Sequence, residues 1–270
     1  FSHCVPTRLH MLLSNPAAER VDLSRWKVII GGSAMPPALA TRARDLGIDV
    51  FGGYGMSETC PVLTLAQINL GDIAGDQKED LSLRCKAGRP IPLVDLKVVD
   101  AELNEMPRDG EATGEIVVRA PWLTQGYLDD PERSEELWQG GYLHTGDIGH
   151  IDSAGYLKVT DRLKDVIKSG GEWISSLELE AVALSCEGIS EAAAIGVPLE
   201  KWGERPLLLV VATQSGQGLT SIRAGFENLA MEGVLSEWAI PDIKSIDAIP
   251  KTSVGKIDKK KLREMYGNLA

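Results

Sequence analysis

An α/β layer, then a β-rich stretch, then a smaller α+β unit is the fold class that this sequence predicts, and three observations predict it. Short apolar runs alternate with helix-spaced segments before residue 88. Strand-like segments broken by Gly, Pro and Asp dominate residues 88–161, and a mixed helix and strand pattern follows. The 270 residues are 43% hydrophobic and 5% aromatic, enough to bury a core in one large domain or two moderate ones.

The elements follow in order. Residues 7–13 carry apolar side chains at helical spacing and stop before Asn15-Pro16. In Lys27-Val28-Ile29-Ile30 a short apolar run ends at Gly31-Gly32, the pattern of a strand. Pro36-Pro37 opens a helix through Arg44, since proline at the first helical position gives up an amide that has no partner there. Ile48-Asp49-Val50-Phe51 starts the next strand, so the opening reads helix, strand, helix, strand, a fragment of a parallel βαβ layer. Such layers collect ligands at the carboxyl ends of their strands, where Gly31-Gly32-Ser33-Ala34 and residues 52–58 fall.

From about Gly88, Leu96-Lys97-Val98-Val99 and Glu115-Ile116-Val117-Val118 predict a small antiparallel barrel or sheet. Beyond Arg162 come a strand over 165–169, a helix over 176–184 capped by Ser175 or Ser176, strands over 192–197 and 207–212, and a basic terminal helix. Residues 214–220 read as a surface loop, and Lys259-Lys260-Lys261 as a solvated helix end.

The formal charge is −11, with 15 basic and 24 acidic groups in residues 1–161 against 13 and 15 in residues 162–270. This balance offers no broad basic footprint for nucleic acid or anionic lipid, so an anionic ligand must be held locally. Cys4, Cys60, Cys85 and Cys186 have no paired spacing, which argues against disulfides and structural zinc and for a reducing, cytoplasmic compartment. His3, Cys4 and His10 lack a fourth ligand at workable spacing and read as the partly buried start of a helix. The longest apolar runs, such as residues 206–212, are too short to span a bilayer. The chain begins at Phe1 without a methionine, as if inside a domain.

Four motifs carry the chemistry. They are Tyr54-Gly55-Met56-Ser57-Glu58-Thr59; Leu143-His144-Thr145-Gly146-Asp147; Asp161-Arg162-Leu163-Lys164-Asp165 running into Ser169-Gly170-Gly171-Glu172-Trp173; and Pro250-Lys251-Thr252-Ser253-Val254-Gly255-Lys256. An aromatic ring among glycines can stack on a flat base, a serine can donate to a phosphate oxygen, and a carboxylate can hold Mg²⁺. A fixed ammonium can offset the charge that builds on a phosphoryl group under attack. In this order the motifs resemble the adenylate-forming enzymes, specifically the bacterial medium- and long-chain fatty acid CoA ligases, over nearly the whole chain.

The resemblance implies that residues 1–161 are the carboxyl-terminal part of a large AMP-binding domain, with a βαβ layer over 1–87 and a β-rich subdomain over 88–161. Residues 162–270 would be its small mobile α+β domain, turning about a hinge at Lys164. ATP, Mg²⁺ and coenzyme A are the implied cofactors and cosubstrates, and small molecules the implied partners, with a homodimer left open. Gly31, Gly32, Ser33 and Ala34 match the stretch at the adenine edge, and Gly53, Tyr54 and Gly55 the segment whose ring stacks on it. Ser57 and Glu58 match catalytic positions, Glu58 also as the Mg²⁺ ligand. The family more often has threonine where Ser57 stands, yet the hydroxyl is retained.

Asp147 matches the acceptor for both ribose hydroxyls and Arg162 a second ribose contact. Lys256 matches the catalytic lysine between the carboxylate and the α-phosphate. Lys168, Gly170, Gly171, Glu172 and Trp173 fall on the cofactor side, where the glycine-rich segment resembles the wall of a pantetheine channel. Trp173 resembles fatty acyl ligases and their methylthiopropionate-activating relatives, and reads equally as a core tryptophan. Lys201-Trp202-Gly203-Glu204-Arg205-Pro206 resembles the same subgroup without an assignable role.

The implied activity is an ATP-dependent acid–thiol ligase forming acyl-CoA through acyl-AMP. A ligase for a short or methylthio-substituted acid is the alternative within the class, followed by a luciferase-like or aryl-activating relative. The family's Thr/Ser/Gly-rich phosphate loop ending in Pro-Lys appears nowhere in the 270 residues, so the chain reads as the carboxyl-terminal part of a ligase, inactive alone. A truncated, non-catalytic nucleotide-binding module is the rival reading. Against it stand Glu58, Asp147, Arg162, Lys164 and Lys256 together, which such a module has no physical need to keep.

Overall fold

The chain opens on a strand rather than a helix: β1 (Ser2–Cys4) precedes α1 (Pro6–Leu13). Three residues are too few to leave a periodic signal. β2 (Lys27–Ile30), α2 (Pro37–Asp45) and β3 (Asp49–Tyr54) follow, and β1, β2 and β3 pair in parallel in that order. Leu9, Leu13, Val28, Ile30, Leu39, Ala43 and Val50 form one buried cluster, so the helices α1 and α2 cover this layer. The layer continues antiparallel through β4 (Thr64–Leu65) and β5 (Arg89–Pro90), with α3 (Gln77–Cys85) between them in sequence. On α3, Arg84 donates to Asp80 and Asp49 at 2.8 and 2.7 Å, tying the helix to β3. Burial pushes the Asp49 carboxyl up, but Lys27 and Arg84 outweigh it and hold it below the usual range.

The computed structural model describes residues 1–68, 77–170, 172–199, 201–213, 218–233, 235–252 and 257–267. They divide into two compact units, Phe1–Val159 and Thr160–Ala270. The β-rich stretch is β6 (Asp95–Val99), β7 (Gly114–Arg119), α4 (Pro131–Leu137), β8 (Leu143–Ile151) and β9 (Leu157–Arg162). Among the described residues its strands pair in the order β6-β7-β8-β9, as the expected antiparallel β-rich subdomain requires.

In the second unit, β10 (Ile167–Ser169), β11 (Glu172–Ile174), α5 (Ser176–Ser185), β12 (Ile189–Leu199), β13 (Gly203–Ala212), α6 (Gly218–Met231), β14 (Asp242–Ser245) and α7 (Lys259–Tyr266) follow in order. The long β12–β13 pair is buried on both faces, which is why both strands read as unbroken apolar runs. Ala192, Ala194, Leu208 and Val210 pack with Leu179 of α5 and Phe226 of α6. Ala193, Ile195, Leu207 and Leu209 pack with Leu262 of α7. Ser175 is the N-cap of α5, its side chain accepting from the Glu178 amide.

Two expectations fail in this unit. Of the loop expected over 214–220, residues 218–220 already belong to α6, while 214–217 lie outside the described residues. The lysine run is not a solvated end throughout. Lys260 and Lys261 are exposed, but the Lys259 side chain is 10% exposed and meets Glu180 of α5, itself 9% exposed, at 2.7 Å. A buried carboxylate needs a counter-charge, and one turn of α7 brings the first lysine of the run onto it. Burial still raises the Glu180 carboxyl above its usual range, against the opposing pull of Lys259.

Asp161 is 2% exposed, and its two oxygens accept from the amides of Ser176 and Arg162 at 2.6 and 2.7 Å. Asp161→Ala should therefore cost about 1–3 kcal/mol by stranding a buried donor at the start of α5. Urea unfolding measures it, and a loss under about 0.5 kcal/mol would mean that water replaces the carboxylate.

Candidate functional site

The first unit gathers its expected residues at the carboxyl ends of β2 and β3. Gly31 follows β2, and a Cβ there would lie 3.3 Å from the Gly53 carbonyl oxygen, so the two glycine segments run close together. After β3 the chain turns sharply: a side chain on Gly55 would place its Cβ 1.6 Å from the Pro61 oxygen, which only glycine avoids. Thr59 holds this turn from inside. Fully buried, its hydroxyl receives the Met56 amide at 2.9 Å and lies 3.0 Å from the Pro61 oxygen. A single 3₁₀ turn, Ser57–Thr59, results, with the Ser57 side chain exposed and Glu58 partly buried.

Hydrogen bonds join Tyr54 and this turn to the β-rich stretch. The Tyr54 hydroxyl donates to Asp147 Oδ2 at 2.7 Å, and the Tyr127 hydroxyl donates to Glu58 Oε1 at 3.0 Å. The Thr124 amide also donates to the Glu58 carbonyl. Burial, then the Glu58 carboxylate, raises the Tyr127 phenol above its usual range, so it stays a donor. Asp147 lies within β8, where its amide donates to Thr145 Oγ1 and the preceding Gly146 amide to Glu115 Oε1. His144 bonds the other Glu115 oxygen at 2.9 Å. Tyr54 and Asp147 thus meet, the turn with Ser57 and Glu58 follows directly after Tyr54, and Gly31 lies beside Gly53. Thr59, Tyr127, Thr145 and Glu115, which orient them, are not among the residues expected from sequence. Thr59 and Thr145 sit inside the motifs themselves; Tyr127 and Glu115 carry no signal, being far from their partners in sequence.

In the second unit, Arg162 and Lys164 are exposed, and the turn that carries them is closed by the Asp165 and Val166 amides on the Arg162 carbonyl at 2.8 Å. Arg263 of α7 clasps the turn, donating to the Lys164 carbonyl at 2.9 Å and to Asp165 at 2.7 Å. Lys168 faces Trp173 across β10 and β11, with its ammonium 5.5 Å from the ring centroid. Trp173 is 45% exposed, so it is not the core tryptophan of the alternative reading. The string at 201–206 braces the start of the glycine-rich segment. The Gly170 amide donates to the Trp202 carbonyl, and Glu204 accepts from the Lys168 amide. Lys256 and Gly171 lie outside the described residues, as does the Glu172 side chain.

A family model described as AMP-binding enzyme matches residues 1–128, and one described as AMP-binding enzyme C-terminal domain matches residues 178–256. A long-chain-fatty-acid–CoA ligase of Thermus thermophilus is 41% identical over 244 residues, covering 90% of this chain and 44% of that protein. A 3-methylmercaptopropionyl-CoA ligase of Ruegeria lacuscaerulensis is 39% identical over 269 residues, covering 97% and 48%. The solved structure of amide bond synthetase McbA from Marinactinospora thermotolerans matches with a TM-score of 0.79 at 30% identity, covering 98% of this chain and 52% of that one. The chain spans about half the length of the curated relatives it matches.

Proposed function

The chain belongs to the AMP-binding, adenylate-forming enzyme family, and from that premise we propose that the whole protein is an ATP-dependent acid–thiol ligase. A fatty acid carboxylate attacks the α-phosphorus of ATP and expels pyrophosphate. The CoA thiol, losing its proton, then attacks the acyl carbon and expels AMP. The observation that supports this best is the 2.7 Å bond between Tyr54 and Asp147, which joins two motifs 93 residues apart. A ring for a base and a carboxylate for ribose hydroxyls then share one nucleotide.

The family resemblance gives each residue its role, and the chemistry of the side chain suits it. The Gly31, Gly32, Ser33 and Ala34 backbone borders the adenine edge, with Gly53, Tyr54 and Gly55 along the ring. Ser57 donates to a phosphate oxygen, and Arg162 adds a second contact to the ribose. Lys256 sets its ammonium against the charge developing at the α-phosphate. Lys168, Gly170, Gly171, Glu172 and Trp173 serve the CoA arm.

Mg²⁺ suits Glu58, because magnesium sites combine one or two carboxylates with substrate phosphates and water. Glu58 offers one carboxylate, fixed by Tyr127. When bound, the ion would neutralise phosphate charge. We place the domain border at 161/162, with Lys164 as the pivot.

Among the described residues no helix is long and apolar enough to cross a membrane. All four cysteines are thiols, and we assign the protein to a reducing cytoplasm.

The relatives' names give fatty acids as the first substrate class and a methylthio-substituted short acid as the second. Thioester formation by the whole protein with a panel of acids decides between them: medium- or long-chain acids should turn over best. Nucleotide binding without thioester from any acid would favour the non-catalytic module.

Asp147→Ala should weaken AMP binding about 10- to 100-fold, the scale of hydrogen bonds to a charged group. Calorimetric titration measures it. An unchanged AMP affinity removes Asp147 from the ribose.

A further inference from the structure

A buried chain of polar contacts runs through the second unit from Lys259, which lies three positions after Lys256 in the sequence. Lys259 Nζ meets Glu180 Oε1 at 2.7 Å and Ser176 Oγ at 2.5 Å. Glu180 Oε1 also accepts the Ala194 amide of β12 at 2.9 Å, and the Ser176 amide passes the chain on to Asp161. Farther along α7, Arg263 clasps the 162–165 turn.

The flanks of the Lys256 segment are pinned as well. Lys251 bridges Ile257, the Asp258 amide donates to the Pro250 carbonyl at 2.9 Å, and Lys251 Nζ meets Glu191 at 2.7 Å.

The Lys259–Glu180 pair is poorly explained as a source of stability. Replacing a buried ion pair by apolar side chains is often neutral or stabilising, because both charges lose their hydration. What the pair supplies is register. α7 is eight residues long, and its apolar anchors, buried Leu262 and partly buried Tyr266 with Ile257 just before the helix, are non-directional contacts that leave a short helix some freedom to slide and rotate. An ammonium that must meet a carboxylate and a hydroxyl removes that freedom at the first residue of the helix. That residue lies three positions after Lys256.

We propose that Lys259 is a positioning residue for Lys256: through Glu180 and Ser176 it fixes the start of α7, and so the base of the Lys256 segment, against α5 and β12. The catalytic half of this inference rests on the ligase reading. Its structural half does not.

Three variants of the whole protein test it: Lys259→Met, Lys259→Arg, and Lys260→Met as the exposed neighbour. Hydrogen exchange at the Asp258 amide, acyl-AMP formation by pyrophosphate exchange, and CoA transfer from supplied acyl-AMP are read separately, below the melting range of each variant. Lys259→Met should speed exchange at Asp258 and slow acyl-AMP formation by about 10²-fold, the scale of a misplaced catalytic group. CoA transfer should stay within about threefold of wild type, since Lys256 serves only the first step. Lys259→Arg should recover most of the loss, and Lys260→Met should change nothing.

A merely structural role would lower both half-reactions together, and that result overturns the proposal. Unchanged exchange at Asp258 in Lys259→Met overturns it even where the ligase reading stands. A wild-type protein that forms no acyl-AMP overturns the ligase reading itself and the catalytic half with it. If Lys259→Met does not fold, Glu180→Gln removes the charge while keeping the hydrogen bonds, and the same readouts apply with the same signs.

Discussion

Lys256→Ala in the whole protein should slow acyl-AMP formation by about 10²- to 10³-fold, the effect of removing one preorganised electrostatic group. As the carboxylate attacks, negative charge builds between the acyl oxygen and the α-phosphate, and an ammonium held there costs no reorganisation when the bond forms. Thioester formation from supplied acyl-AMP should stay within a few-fold of wild type, because the turn about the hinge that the resemblance implies takes Lys256 away from the site for that step. Equal losses in both halves would contradict the assignment, and so would a loss confined to the apparent affinity for ATP, which would mark a ground-state contact.

Lys164→Pro should produce the opposite split, with near-normal acyl-AMP formation and severely impaired CoA transfer. The resemblance assigns Lys164 as the pivot between an adenylating and a thioester-forming arrangement. A proline there locks φ near about −65° and deletes an amide donor, so the protein is held in whichever arrangement suits that angle. Family behaviour makes this the adenylating one. Lys164 is exposed and lies in a turn rather than a core, so thermal stability should change only modestly. Measuring each half-reaction on the variant decides the matter: wild-type rates in both would move the pivot elsewhere.

How far the sequence carries depends on how local each signal is. α2 and β2 are legible because proline at a helix start and a run ending in two glycines act within a few residues. The cap of α5 is legible to within the choice of Ser175 or Ser176 for the same reason. α4 has a local signal too, Asp130 as N-cap before Pro131, but it is hidden inside a stretch that reads as strands and turns. α6 is masked by the Gly- and Ser-rich residues before it, which draw its first turn into an expected loop.

The site divides in the same way. Tyr54, Ser57, Glu58 and Asp147 lie in motifs, but the bond from Tyr127 to Glu58 spans 69 residues and no pattern announces it. Lys259 is the sharpest case. Three consecutive lysines read as a solvated helix end, because what buries the first of them is a carboxylate brought over by tertiary packing from far earlier in the chain.

Isotope transfer tests the central claim most directly. An acid carrying ¹⁸O in both carboxylate oxygens is turned over by the whole protein with ATP and CoA, and the AMP and pyrophosphate are examined by mass spectrometry. If the carboxylate attacks the α-phosphorus, one ¹⁸O stays on that phosphorus when the thiol displaces AMP. The account therefore predicts one ¹⁸O in each AMP released and none in pyrophosphate. Thioester formed with unlabelled AMP, or with label in inorganic phosphate beside ADP, would contradict the acyl-AMP route.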